Sequence, residues 1–270
     1  MPELPEVETT VKQLIPHLPT RRVVTARLRF RNLYRTGSLG VRSLLGRRVE
    51  TVERIGKNIL VRFHPPAVMV VNLGMTGQLL TCGRGERPPG FNAKHLHCRF
   101  ELDDGSELRY YDPRRFGHIF IAESCDFQKD LNIGPDPFQA TPAELRKKLH
   151  GRTAAIKPLL MDQRIIAGLG NIYTDETLFY AGIDPRTPGG KAELQAGRIL
   201  ACARRVLRRA IEHGGSTILS YRKRDGSHGE FQRFHAVYGR RDQRCVACDS
   251  RIVKIVLSGR ATHFCPECQR

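Results

Sequence analysis

The sequence predicts an α+β chain of more than one domain: an N-terminal helix with a β-sandwich or barrel, then a helical region, then a four-cysteine hairpin. Three observations carry this. The apolar spacing changes from helical to strand-like after the first twenty or so residues and turns helical again beyond about residue 140. A proline- and glycine-rich stretch, N-I-G-P-D-P-F-Q-A-T-P at 132–142, falls at that second change and marks a domain boundary. Two C-x-x-C pairs, Cys245/Cys248 and Cys265/Cys268, enclose a short β-rich segment. With 270 residues and 40% hydrophobic content, the chain can bury a core and form about two domains.

In order along the chain, Val7, Val11, Leu14, Ile15 and Leu18 recur at helical spacing after Pro5, so the first element is an amphipathic helix. Short β-rich runs follow at Val23–Phe30, Ile59–Phe63, Val68–Leu73, Leu96–Leu102 and Glu107–Tyr111. The last two flank Asp104-Gly105, a hairpin signal, and 84–90 reads as a loop. Beyond the boundary, Thr141-Pro142 with Glu144 opens a helix. Asn171 is expected to cap a second helix that carries Asp175 and Glu176 in its first turn. A third helix is expected over about 191–213, with Ala196, Ile199, Leu200, Ala203, Val206, Leu207, Ala210 and Ile211 on one face. Its arginines, Arg198, Arg204, Arg205, Arg208 and Arg209, read as a solvated face.

Lysine and arginine outnumber aspartate and glutamate 45 to 27, a formal charge of +18, which points to a polyanionic partner and first of all to nucleic acid. A membrane would attract the same charge, but no apolar run approaches the ~20 residues of a spanning helix. The start, M-P-E-L-P-E, lacks the features of an export signal, so a soluble cytoplasmic protein is expected. In that compartment the eight cysteines are thiols or metal ligands. Cys82, Cys98, Cys125 and Cys202 show no ligand spacing and read as ordinary reduced residues.

Chemistry concentrates at three places. C-V-A-C and C-P-E-C can close four thiolates around one zinc ion, with Ile252–Leu257 and Ala261–Phe264 as the hairpin between them. Four thiolates leave no open coordination position, so the zinc is structural; a redox dithiol is the rival reading. Arg240, Arg241, Arg244, Arg251, Lys254 and Arg260 surround it with positive charge suited to phosphates. Second, Gly168-Leu169-Gly170-Asn171 stands before a helix and offers either a phosphate-binding turn or a plain helix start. Third, removal of Met1 would leave Pro2 with a free secondary amine, a nucleophile of the α-amino class, whose ordinary members titrate near ~8 where lysine titrates near ~10.4 and whose secondary amines titrate somewhat higher, with Glu3 beside it to move a proton.

From end to end the chain resembles the bacterial formamidopyrimidine-DNA glycosylase family. The resemblance rests on M-P-E-L-P-E-V-E-T-T at the start, N-L-G-M-T-G at 72–77, D-P-R-R-F-G at 112–117, A-I-K-P at 155–158, G-L-G-N-I-Y at 168–173, and V-Y-G-R before the cysteines, all in family order. It implies an N-terminal helix and β-sandwich over 1–131, a helix-two-turn-helix domain over 132–224, and a base-capping loop with a zinc finger over 225–270, with DNA bound in a cleft between. It also implies a monomeric, nucleoid-associated bacterial enzyme with one structural zinc on Cys245, Cys248, Cys265 and Cys268. Its substrate would be damaged double-stranded DNA, from which it excises 8-oxoguanine and formamidopyrimidines before cutting the strand at the abasic site.

By the same resemblance Pro2 is the nucleophile, Glu3 the acid–base residue, Lys57 of I-G-K-N the lysine of β-elimination, and Arg260 the arginine linked to δ-elimination. Met75, Arg114 and Phe116 match the trio inserted into the gap left by an extruded base. His95, Arg152 and Asn171 match further DNA contacts, Lys157 is expected near the base pocket, and 216–232 resembles the loop covering the extruded base. Asn72 departs from the family, in which many members carry histidine before L-G-M, and this puts one phosphate contact in doubt. Two other readings are an endonuclease-VIII-like enzyme for oxidised pyrimidines, whose members typically begin M-P-E-G-P-E, and a non-catalytic damage-binding zinc protein.

Overall fold

A computed structural model describes residues 1–30, 33–34, 37–124, 131–216 and 227–270. Cys125 and most of the expected base-capping loop, residues 217–226, lie outside the described residues. The chain divides into two compact units, Met1–Asp126 with His213–Glu230, and Phe127–Glu212 with Phe231–Arg270.

The first unit begins with helix α1, Leu4–Leu14, whose apolar face of Leu4, Val7, Val11 and Leu14 is buried. Its entry is fixed by a capping box, in which the Glu3 N–H donates to Glu6 Oε2 at 2.7 Å. Eight strands follow: β1 Val23–Leu28, β2 Arg48–Ile55, β3 Asn58–His64, β4 Ala67–Asn72, β5 Gln78–Cys82, β6 Leu96–Leu102, β7 Glu107–Tyr111 and β8 His118–Ala122. They form two antiparallel four-stranded sheets, ordered β2-β3-β4-β8 and β1-β6-β7-β5. Val49, Ile59, Met69, Val71 and Ile119 of one sheet share a core with Val23, Leu79, Phe100, Leu108 and Tyr110 of the other, so the architecture is a sandwich rather than a barrel. Val7, Val11 and Leu14 of α1 belong to that same core.

Strands β6 and β7 coincide with the expected runs, joined through Asp103-Asp104-Gly105-Ser106. Gly105 there has φ +81°, and Asp104 Oδ1 accepts from the Ser106 N–H and hydroxyl. Strands β2, β5 and β8 were not among the expected runs. In β2 only Val49 and Val52 are buried, and a register shift between Val49 and Thr51 interrupts the alternation. The first unit recovers the chain at His213–Glu230, where the Ser216 N–H donates to Glu6 Oε1 at 2.7 Å.

The second unit holds α2 Pro142–Leu149, α3 Ile156–Met161, α4 Asn171–Ala181, a single turn α5 Gly189–Ala192, α6 Ala196–Glu212, and a hairpin of β9 Val253–Leu257 and β10 Arg260–Phe264. The expected Thr141/Glu144 start is present as a reciprocal capping box on α2. Thr141→Ala is expected to lower stability by about 1 kcal/mol, read as a shift in the denaturation midpoint.

The expected start of α4 is corrected: Gly170 is the N-cap, and Asn171 is the first helical residue. Asp175 and Glu176 therefore fall in mid-helix, both buried, where they are partners of other segments rather than of the helix dipole. Nor is the α6 arginine row simply solvated. Arg204 donates to the carbonyls of Pro137 and Ala140, while Arg205, Arg208 and Arg209 lie over the rings of Tyr180, Phe138 and Phe234. No helix among the described residues is long and apolar enough to cross a membrane.

Candidate nucleic-acid interface and zinc centre

At the start of the first unit, Pro2 is buried immediately before the α1 cap, and Glu3, the cap itself, is 2% exposed. α1 packs against β2 and β3, whose two-residue turn is Gly56-Lys57. Gly56 has φ +58°, as the first central position of a type II′ turn requires, and Lys57 takes the second. A lysine on a tight turn normally reaches into water, yet Lys57 is only 8% exposed.

Two loops at one end of the sandwich carry the expected insertion trio. Met75 lies in the β4–β5 turn, and Arg114 and Phe116 lie between β7 and β8. Met75 and Phe116 are 37% and 55% exposed, which excludes the ordinary core role open to an apolar residue. The Arg114 guanidinium sits 4.7 Å above the Phe116 ring. His95 closes a 3₁₀ turn, Ala93–His95, and its imidazole titrates below the ordinary histidine value through burial and then through Lys94, His97 and Arg115 nearby. Asn72 is engaged within its own sheet: its Nδ2 donates to Asn58 Oδ1 at 2.9 Å, and its Oδ1 accepts from the Gly74 N–H at 3.0 Å.

In the second unit the Gln163 side chain shapes the loop before α4, donating to the carbonyls of Met161 and Leu169 and accepting from the Gly168 N–H. Asn171 Oδ1 is buried without a hydrogen-bond partner among the described residues, and its Nδ2 approaches the Tyr238 hydroxyl at 3.5 Å. Arg152 is exposed, with its backbone carbonyl accepting from the Gly190 N–H.

The four cysteines converge as their spacing predicts. The Sγ pairs Cys245–Cys268, Cys248–Cys265 and Cys248–Cys268 stand 3.9, 3.5 and 3.5 Å apart, and all four atoms lie within 4.8 Å of one another. Zn–S bonds of about 2.3 Å in a tetrahedron put sulfurs about 3.8 Å apart, whereas a disulfide needs about 2.05 Å, so the set fits one zinc ion and not a redox bridge. Burial raises the Cys265 thiol and the backbone N–H groups of Cys268 and Glu267 lower it, for a net shift downward, whereas burial and then the neighbouring sulfurs raise Cys268. The Cys265 N–H donates in turn to Gln269 Oε1, and Gln269 Nε2 to the Ile183 carbonyl.

β9 and β10 are joined by Ser258-Gly259, both at positive φ, a type I′ turn that leaves Arg260 exposed at the first position of β10. The hairpin is fastened to the helices by a network that sequence reasoning missed. Lys157, 1% exposed, donates to the Ala261 carbonyl and Thr262 Oγ1. Its Nζ also lies 2.8 Å from Asp175 Oδ1, an ion-pair contact out of hydrogen-bond line, while Asp175 Oδ2 accepts from the His263 N–H. Beside it, Glu176 accepts from the N–H groups of Ala236, Val237 and Tyr238. Lys157 is thus a buried brace for the Arg260 strand. The signal for it was lysine followed by proline in an apolar run, I-K-P-L-L, which cannot be told from a surface position without the fold.

A two-sheet unit, a helical module and a tetrathiolate hairpin define a multidomain protein with a structural zinc centre. Three family models match it in succession: the formamidopyrimidine-DNA glycosylase N-terminal domain over residues 1–119, the formamidopyrimidine-DNA glycosylase H2TH domain over 133–222, and the zinc finger found in FPG and IleRS over 242–270. The formamidopyrimidine-DNA glycosylase of Laribacter hongkongensis is 41% identical, with all of both chains covered. That of Symbiobacterium thermophilum is 40% identical over all of this chain and 89% of the relative. Among solved structures, the MutM (Fpg) protein of Thermus thermophilus matches with a TM-score of 0.86 at 38% identity, covering 99% of this chain and 98% of that one. A Lactococcus lactis Fpg mutant in complex with a Fapy-dG-containing DNA matches with a TM-score of 0.87 at 31% identity over all of both chains. The chain belongs to the formamidopyrimidine-DNA glycosylase family.

Proposed function

We propose that the protein is a bifunctional base-excision-repair enzyme that removes oxidised purines, 8-oxoguanine and formamidopyrimidines, from duplex DNA and then cleaves the strand at the abasic site. The observation that carries this reading is the buried Pro2-Glu3 pair at the head of α1, in a chain that belongs to this family throughout its length. The organisation we assign is a catalytic domain over 1–131, a helix-two-turn-helix DNA-binding domain over 132–224, and a capping loop with the zinc finger over 225–270. The enzyme acts as a monomer in the bacterial cytoplasm, at the nucleoid.

Removal of Met1 turns the Pro2 nitrogen from an amide into a secondary amine. Its lone pair forms a bond to C1′ as the bond from C1′ to the damaged base breaks, and the base leaves with the electron pair of the broken bond and takes up the proton that the alkylated Pro2 nitrogen sheds. The sugar ring opens between C1′ and O4′, O4′ takes a proton from Glu3, and an iminium joins Pro2 to C1′. The Pro2 nitrogen has by then given up its one proton, so this iminium has none to lose from nitrogen, and the cation persists and acidifies C2′. Loss of a C2′ proton expels the 3′ phosphate, and a second elimination expels the 5′ phosphate. Lys57 serves the first elimination by phosphate contact and proton transfer. Arg260 serves the second as a fixed cation at the departing phosphate, since a guanidinium stays protonated at neutral pH. The zinc, when bound, supplies structure only.

Met75, Arg114 and Phe116 fill the gap left by the extruded nucleotide, while His95, Arg152 and Asn171 hold phosphates. The test is borohydride trapping of the chain on duplex DNA carrying 8-oxoguanine opposite cytosine, beside the same duplex carrying an oxidised pyrimidine. A covalent adduct forming chiefly on the purine lesion is the expected result. An adduct chiefly on the pyrimidine would assign the endonuclease-VIII-like activity, and no adduct from methionine-processed protein would reject the mechanism.

A further inference from the structure

Asp112 is fully buried, and its carboxylate receives four donors. Oδ1 accepts from the Thr76 hydroxyl at 2.5 Å and the Arg114 N–H at 3.2 Å; Oδ2 accepts from the Gly117 N–H at 2.8 Å and the Tyr110 hydroxyl at 3.3 Å. Its backbone is held too, since its N–H donates to the His95 carbonyl at 3.0 Å and its carbonyl meets His97 Nε2 at 2.8 Å. One residue thereby ties the turn carrying Met75, the loop carrying Arg114 and Phe116, and the segment carrying His95. The two loops also touch backbone to backbone: a Cβ at Gly74 would collide with the Gly117 nitrogen, and one at Gly117 with the Tyr110 hydroxyl. Arg115, at φ +56°, is held in the left-handed region with its guanidinium 4.8 Å above the Phe30 ring.

We infer that Asp112 is a positioning residue that presents Met75, Arg114 and Phe116 as one preassembled device, so that a single buried carboxylate sets the geometry with which the gap in the duplex is filled. The inference rests on the proposed insertion role of those three residues. The chemistry requires a carboxylate because four donors converge and only an acceptor-only group satisfies them all; an asparagine at 112 would turn an NH₂ toward two of them. Tyr110 remains a donor because burial, with the Asp112 charge next, pushes its phenol far above the ordinary value.

The test compares Asp112→Asn, Thr76→Val and Thr76→Ser with the unaltered chain. In the DNA-free protein, amide hydrogen exchange is expected to rise at least ~10-fold at residues 74–77 and 114–117 together in Asp112→Asn, with β3 and β4 unchanged. Single-turnover excision of 8-oxoguanine opposite cytosine in a duplex is expected to fall at least ~30-fold in Asp112→Asn, while cleavage of a preformed abasic site in single-stranded DNA, which needs no gap filled, stays within about threefold. Thr76→Ser restores the hydroxyl and is expected to behave as the unaltered chain, with Thr76→Val between the two. Equal losses on both substrates, or release of one loop alone, would overturn the inference. Inactivity of the unaltered chain on both substrates would instead reject the proposed function, and the exchange result alone would then decide whether Asp112 couples the loops.

Discussion

Pro2→Gly, with Met1 removed, is expected to lose at least ~10²-fold in 8-oxoguanine excision, or ~3 kcal/mol of transition-state stabilisation, and to lose less in cleavage of a preformed abasic site. The asymmetry follows from the amine. Glycine still offers a primary amine, which condenses with the aldehyde of an abasic site, but the product is an imine that can shed its proton and with it the charge that acidifies C2′. Displacing an intact base asks more of the nucleophile, because the carbon is not yet an aldehyde and the leaving group must be pushed out. Pro2 is buried just before the Glu3 cap, so its replacement by glycine is also expected to cost about 1 kcal/mol of stability, a loss that both substrates share. Single-turnover rates on the two substrates, with intact mass confirming loss of Met1, measure all three quantities. Equal losses on both would assign Pro2 to packing, and no loss would remove it from the mechanism.

Much of this site was legible because its chemistry is local in sequence. Cysteines paired with two residues between them, a capping box, and the Asp104-Gly105 turn each carry their geometry within a few residues, and the structure reproduces them. What escaped depends on partners distant in the chain. Strand β2, R-V-E-T-V-E-R-I, reads as polar because only two of its side chains are buried and a bulge breaks their alternation. Asp175 and Glu176 look like helix-dipole acids until the fold brings His263 to one and the 236–238 backbone to the other. Asp112 lay in plain view within D-P-R-R-F-G, yet nothing in that string shows that the Thr76 hydroxyl would meet its carboxylate. Asn72, a departure from the family pattern, proves to be a polar clamp between β3 and the Met75 turn. Its side chain already has partners on both ends, which accounts for an amide at this position without reference to DNA.

Cys248→Ser is expected to release the zinc and weaken duplex binding about 10- to 100-fold, flattening the dependence of log K on log salt by ~1–2 as phosphate contacts from the hairpin are lost. The Lys157 and Asp175 braces hold only β10, so the order of the whole hairpin depends on its metal. Five residues pair on each side, and most side chains of β9 are exposed or half-exposed, so it buries too little apolar surface to offset the entropy of ordering it. Its core is the cysteine cluster itself, with Ile252, Val237 and Phe179 of α4 against it, so removing the ion also removes the centre of that packing. Arg241, Arg244, Lys254 and Arg260 are exposed around this core and lose their fixed positions together. Arg260→Ala separates the two effects: it should keep one zinc per chain and most of the affinity while slowing the second elimination. Metal content by elemental analysis, binding across a salt series, and the ratio of β to β,δ products distinguish them. Binding by the zinc-free variant with an unchanged salt slope would mean that the finger is not part of the DNA interface, and Arg260 would then lose its proposed role as well.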